Sequence, residues 1–280
     1  MSRKFHDVCA QGKKALIGAG VPDADIDANL LLMHVCDVDK QTLLMQPDYE
    51  VTEECYLRYV NYIERRKKRE PLQQITGEQD FMGLKFYVNQ EVLCPRYDTE
   101  VLVEEVMRHL HDGMRILDVC TGSGCILLSL LHYSNGCEGV GVDLSKEALI
   151  VAKSNARLLG IEATFFESDL FEQVSGKFDI IVSNPPYIRS DVIETLMSEV
   201  RDYEPRMALD GMEDGLHFYR EIIRQSKDFM GIGSMLFFEI GYDQGQDVLR
   251  LMQEAGFSEC SVVKDFAGLD RVVYGTYCGR

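Results

Sequence analysis

Two textures divide the chain. Up to about residue 75, apolar positions recur at helical spacing. Asp23–Val35 has an acidic start, an apolar end and Pro22 just ahead, the polarity expected of a helix. Tyr56–Arg69 predicts a second helix, with Tyr56, Val60 and Ile63 on one face, ending in the basic run Arg65-Arg-Lys-Lys-Arg69. That run reads either as a contact to RNA or an acidic partner or as a solvated helix end whose charges suit the C-terminal dipole, and the solvated end is favoured. At residues 76–95 the pattern changes. Phe81, Met82, Leu84, Phe86 and Val88 flank Gly83, which predicts a β-hairpin between two domains. Beyond Pro95, Asp98 is placed to cap a helix carrying Val103, Val106, Met107 and Leu110 on one face.

From Met114 onward short apolar runs alternate with helical segments. Strands are predicted at 115–120, 138–143, 163–166, 178–182 and 234–240, with 261–263 and 271–277 as a late antiparallel pair. Helices are predicted at 126–131 and after Ser145, the latter capped by Ser145 and stopped by Gly160. Strands alternating with helices imply an α/β, doubly wound, mostly parallel sheet.

Composition narrows the chemistry. The 280 residues hold 46% hydrophobic side chains, enough for a sizeable core, and carry a net charge of −17. Such acidity repels phosphate backbones and weighs against general DNA or RNA binding, although a local basic patch is compatible with it. The nine cysteines are scattered and contain no C-x-x-C, which suits reduced thiols better than disulfides or a zinc site. The first residues lack the apolar stretch of a signal peptide, and no run of about 18 apolar residues occurs. A cytoplasmic protein with no metal and no membrane contact is expected.

Four strand ends then carry polar groups at the edge where ligands bind such sheets. The first is the loop "DVCTGSGC", residues 118–125, where Gly122 and Gly124 allow close approach to the backbone. Leu127 stands where a dinucleotide fingerprint needs its third glycine, so that fingerprint fails. The second is Asp143, placed to accept ribose hydroxyls or to cap the next helix. The third is Asp169, placed to read an adenine amino group or to serve as an ordinary loop carboxylate. In chain order these fit an adenosine-containing ligand without a pyrophosphate, of which S-adenosylmethionine is the common one.

The fourth is "SNPPYI", residues 183–188. Prolines at a strand end free local carbonyls from the ladder and stiffen their direction. The Asn184 side-chain oxygen and the Pro185 carbonyl can therefore converge on one –NH2 group, with the flat face of Tyr187 over it. A planar amide or aromatic amine is a poor nucleophile, because its lone pair is delocalised. Two fixed acceptors orient it and favour a pyramidal nitrogen aimed at a methyl donor.

These motifs resemble the class I S-adenosylmethionine-dependent methyltransferases that act on planar nitrogens. N-P-P-Y occurs among N6-adenine DNA methyltransferases, some RNA methyltransferases and the release-factor glutamine methyltransferases. "REPLQQITGEQDFMGLKFYVNQEVLCPRYDTEVLV", "YEPRMALDGMEDGLHFYREII" and "AGLDRVVYG" resemble the last group, the PrmC/HemK family, over almost the whole chain. The resemblance implies a Rossmann-like methyltransferase domain at 96–280, a helical substrate-recognition domain at 1–75 and a hairpin linker at 76–95. It implies methylation of the N5 amide of the glutamine in the Gly-Gly-Gln motif of class I peptide-chain release factors, with S-adenosylhomocysteine as product and no direct DNA binding. Adenine-N6 methylation of DNA or RNA is the alternative.

By the same resemblance Cys120, Thr121, Gly122, Ser123 and Gly124 hold the methionine part of the cofactor, Asp143 the ribose, and Asp169 and Leu170 the adenine. Asn184, Pro185, Pro186 and Tyr187 hold the substrate glutamine. Asn184, Pro185 and Tyr187 are the catalytic set, with Asn184 also near the cofactor. Arg96 and Thr99 line the same pocket. Three positions depart from the usual family pattern. Cys120 and Tyr97 stand where Gly and Pro are common. Leu170 replaces a Trp, which leaves Phe171 as a candidate for the lost adenine stacking.

Overall fold

A computed structural model describes residues 3–279; Met1, Ser2 and Arg280, which the expected outer domains include, lie outside the described residues. The chain divides into two compact units. One is Met1–Gly77 together with Met197–Tyr203, and the other is Glu78–Leu196 with Glu204–Arg280.

The first unit is built of the helices Phe5–Gly18, Ala24–Cys36, Lys40–Met45, Glu53–Lys67 and Leu72–Thr76. Phe5, Val8, Leu16, Leu31, Leu32, Tyr59 and Ile63 form its core. Glu53–Lys67 starts three residues earlier than its apolar spacing predicts, because Thr52 caps it by accepting from the Cys55 N–H at 3.2 Å. Its buried face is Tyr59, Ile63 and Arg66, whereas Val60 is exposed and Tyr56 half-buried. Gly12 makes room for Tyr59: a Cβ there would lie 2.0 Å from the phenol oxygen.

The basic run is not a solvated helix end. Arg66 is buried and donates to Asp27 at 2.7 Å and to Glu199 at 3.1 Å. Arg69 donates to Glu199 at 2.8 Å and to the Gly20 carbonyl at 2.7 Å, and Arg65 to Glu70 at 2.5 and 2.9 Å. Three of the five cations are thus spent on internal acceptors, two of them on a carboxylate more than a hundred residues away in sequence.

In the second unit β1 (Glu78–Phe81) and β2 (Leu84–Tyr87) form the hairpin, turned by Met82 and Gly83, both at positive φ. Phe81 and Phe86 pack into the core of the large sheet, so the hairpin is anchored to this unit. The seven-stranded sheet runs β5–β4–β3–β6–β7–β9–β8, with β3 (Arg115–Val119), β4 (Glu138–Asp143), β5 (Thr164–Glu167), β6 (Phe178–Ser183), β7 (Met230–Glu239), β8 (Phe257–Lys264) and β9 (Asp270–Tyr277). The first five in that order are parallel, and β9 is antiparallel to both its neighbours. The alternation of apolar runs predicts this arrangement. Strand order reverses between β3 and β6, so a crevice opens at their C-terminal ends, where Val119 pairs with Ser183.

Asp98 does not cap the helix Tyr97–His109. Arg96 occupies the N-cap without a side-chain bond, and Asp98 sits in the first turn, 3.4 Å from the Arg271 guanidinium. Leu110 lies just past the end of that helix. Among the described residues no helix is long and apolar enough to cross a membrane, and no cluster of His, Cys, Asp and Glu is arranged to hold a metal ion.

Candidate active site

A cavity of about 460 Å³ opens over the C-terminal ends of β3, β4 and β6. The loop leaving β3 is shaped by backbone conformation. Cys120, Gly122 and Gly124 have φ of 61°, 55° and 78°, which winds the chain back before the helix Cys125–His132. A Cβ on Gly122 would meet nothing within 4 Å, whereas one on Gly124 would press on Ala152, Leu128 and Phe165 at 3.2–3.3 Å. Gly122 therefore keeps the cavity wall low, and Gly124 lets the helix seat. Asp118 is fully buried beneath the loop. One of its oxygens accepts from the Thr121 hydroxyl at 2.6 Å, and the other has no partner among the described residues. Burial pushes its carboxyl up to about 7.

Asp143 ends β4. One oxygen accepts from the Gly122 N–H at 2.8 Å and the other from the Ser145 N–H at 2.9 Å. It thus braces the loop and starts the next helix, with the Leu144 N–H a third backbone partner, while the carboxylate keeps acceptor capacity for a ligand. Burial raises its pKa, against the lowering effect of those backbone bonds. Asp169 is exposed at the cavity edge beside Leu170, which has φ 48°. Phe171 does not replace the missing aromatic: it is buried and stacked on Phe229 at 5.0 Å.

After β6 the construction differs. Ser183 donates to the Val119 carbonyl at 2.6 Å, tying the strand end to β3. Neither the Asn184 side chain nor the Pro185 carbonyl is bonded to another described residue. Tyr187 is held firmly. Gln244 donates to its carbonyl at 3.1 Å, and its phenol lies 3.5 Å from a Glu239 oxygen. Gly211 and Gly215 complete the hold, because a Cβ at either would come within 2.5–2.7 Å of the Tyr187 backbone.

Of the residues singled out from sequence, Cys120, Thr121, Gly122, Ser123, Asp143, Asp169, Leu170, Asn184 and Pro186 line the cavity, as do Arg96 and Thr99. Gly124, Pro185 and Tyr187 are not among its lining residues. Arg96 donates to buried Glu204 at 2.6 Å.

Comparison with known proteins places the chain in a family. The sequence model of the PrmC N-terminal domain matches residues 7–77, and that of the methyltransferase small domain matches residues 96–200. The release factor glutamine methyltransferase of Clostridium acetobutylicum is 43% identical over 88% of this chain and 89% of its own. That of Agrobacterium fabrum is 42% identical over 93% of each. The chain belongs to the release factor glutamine methyltransferase family. A methyltransferase from Pyrococcus furiosus, 15% identical with a TM-score of 0.54, covers 70% of this chain and 90% of its own and shares the fold.

Three buried residues of this family member escape a reading by motif. Asn155 donates to the Ser123 and Tyr87 carbonyls at 2.9 and 3.0 Å and accepts from the Tyr87 N–H at 2.7 Å, which ties the cofactor-side loop to the hairpin. Gln244 and Glu239 support Tyr187. Only Glu239 leaves a trace in the sequence, as a lone carboxylate ending the apolar run "SMLFFEI".

Proposed function

We propose that this enzyme transfers a methyl group from S-adenosylmethionine to the N5 amide of the glutamine in the Gly-Gly-Gln motif of class I peptide-chain release factors, in the cytoplasm. The observation that carries the reading is the pair of uncommitted acceptors, Asn184 and Pro185, at the strand end beside the glycine loop. The residues present fit the cofactor. Gly122 leaves the loop backbone open to the cavity. Asp143 keeps acceptor capacity at the end of β4.

When bound, S-adenosylmethionine supplies an electrophilic methyl group on a sulfonium. The loop 120–124 would hold its methionine part, Asp143 its ribose, and Asp169 and Leu170 its adenine. Asn184 and Pro185 would accept the two N–H bonds of the glutamine amide, with Tyr187 against its flat face. Held in this way, the nitrogen would present its lone pair to the methyl group. As the N–C bond forms the S–C bond would break, leaving the cofactor as a neutral thioether, and the displaced amide proton would pass to solvent. The rate comes from positioning and fixed dipoles, and no Cys or His nucleophile takes part.

The test is mass spectrometry of the Gly-Gly-Gln peptide after incubating enzyme, cofactor and release factor. One added methyl on the glutamine is expected. Methyl label on RNA or DNA with none on the release factor would overturn the reading.

A further inference from the structure

Glu239 ends β7 behind the N-P-P-Y segment and is 2% exposed. One carboxylate oxygen faces the Tyr187 hydroxyl at 3.5 Å, and the Thr99 hydroxyl also bonds the carboxylate, whose second oxygen has no close partner among the described residues. A mere plug at this position would be better served by Leu, since burying a carboxylate costs more than two hydroxyl contacts return. The surroundings also bind Glu239 to Tyr187 indirectly. Tyr219 donates to the Glu239 carbonyl at 3.0 Å and contacts Gln244 at 3.4 Å, and Gln244 donates to the Tyr187 carbonyl.

We propose that Glu239 is a positioning residue for methyl transfer: its carboxylate takes the Tyr187 O–H from behind and fixes the ring against which the substrate amide lies. The role in transfer rests on the function proposed above, whereas the pairing with Tyr187 does not. A contact of 3.5 Å is long for a hydrogen bond, and bonds of this kind in empty active sites tighten when substrate packs against them.

The pairing has a pH signature. Burial pushes the Glu239 carboxyl up to about 7, with the Thr99 hydroxyl and Arg271 opposing and Asp98 adding to the rise. Tyr187, Tyr219 and Cys125 also face it, and all three are themselves pushed above their ordinary values by burial, so they stay protonated through neutrality. Below that midpoint Glu239 is a neutral acid with a proton of its own. Above it the carboxylate only accepts, and its bond from Tyr187 becomes charge-assisted.

The experiment labels tyrosine at Cζ with 13C and follows the resonance missing from Tyr187→Phe. In the wild type it should titrate with a midpoint at about 7 and lie flat in Glu239→Gln. A flat wild-type resonance, or an unchanged titration in Glu239→Gln, overturns the pairing whether or not methyl is transferred. Should Glu239→Gln fail to fold, Glu239→Asp serves, and its Tyr187 midpoint must move.

In turnover, Glu239→Gln should lower kcat about five- to tenfold, as loss of one charge-assisted bond predicts. The rise of kcat through about pH 7 should vanish, with KM for the cofactor unchanged. Added to Tyr187→Phe it should cost less than about twofold more, because the two act as one unit. Independent, multiplying losses would overturn the positioning role. A titrating Tyr187 in a wild type that leaves the release factor unmethylated would sink the functional reading and leave the pairing standing.

Discussion

The loop after β3 and the segment after β6 leave neighbouring strands at the same edge of the sheet, yet they spend their polar groups in opposite ways. On the loop side the carboxylates mostly serve the protein itself: Asp118 takes the Thr121 hydroxyl, and Asp143 takes the Gly122 and Ser145 amides. Its shape comes from three consecutive alternate residues at positive φ. On the other side the backbone of Tyr187 is gripped by Gln244 and by two close-packed glycines, while Asn184 and Pro185 keep their acceptors uncommitted. Binding a large ligand tolerates small losses spread over many contacts. Reorienting one –NH2 group does not, because two acceptors are all it has.

Four substitutions break or sharpen that contrast. Asn184→Ala removes one of the two acceptors, and turnover should fall at least about 100-fold, the cost of losing one fixed polar group aimed at the reacting atoms. Cofactor affinity, read by calorimetry, should change far less. Gly211→Ala puts a Cβ 2.7 Å from the Tyr187 backbone. Displacing the segment by a fraction of an ångström should lower kcat about 10- to 100-fold in single-turnover kinetics. Affinity for the cofactor should again be nearly unaffected, and a loss confined to binding would erase the contrast.

Asp118→Asn addresses the loop side. Burial holds the Asp118 carboxyl at about 7, against an ordinary value of about 4. Between these values the unfolded chain gives up the proton that the folded chain keeps. The stabilisation is therefore complete at low pH and is lost as pH rises toward about 7. The melting temperature of Asp118→Asn should gain several degrees on that of the wild type between about pH 4 and about pH 7. A constant difference would show that Asp118 is ionised throughout. Cys120→Gly has the smallest effect. It relieves about 1–2 kcal/mol of left-handed strain at φ 61°, partly offset by about 0.5–1 kcal/mol of glycine entropy. The melting temperature should rise by only a few degrees, with turnover unchanged within about twofold.

What could be read from the sequence follows the same line. The alternating strands and helices, the hairpin turn at Met82-Gly83 and the Ser145 cap are local features, set by period and dihedral preference. The N-P-P-Y segment declares itself because prolines at a strand end are conspicuous. The support beneath it is not local. Arg66 finds Glu199 across 133 positions, Tyr187 finds Glu239 across 52, and Asn155 finds Tyr87 across 68. Charge spacing on one helix cannot disclose a carboxylate on another segment, so the basic run reads as solvated when it is spent internally. Tyr59 and Val60 exchange the burial that spacing alone suggests, because Thr52 starts the helix earlier and Gly12 opens a slot for the Tyr59 ring. Phe171 fails as an adenine platform for a similar reason, since Phe229 takes its face first.

The central claim is that Asn184 and Pro185 present two acceptors to a glutamine amide. Its most direct test is paired mass spectrometry of the release-factor Gly-Gly-Gln peptide, after equal incubation with wild type and with Asn184→Ala at saturating cofactor. The account predicts a methylated glutamine with the wild type and an unmodified one with the variant, both enzymes binding cofactor. Equal methylation by the two would contradict it.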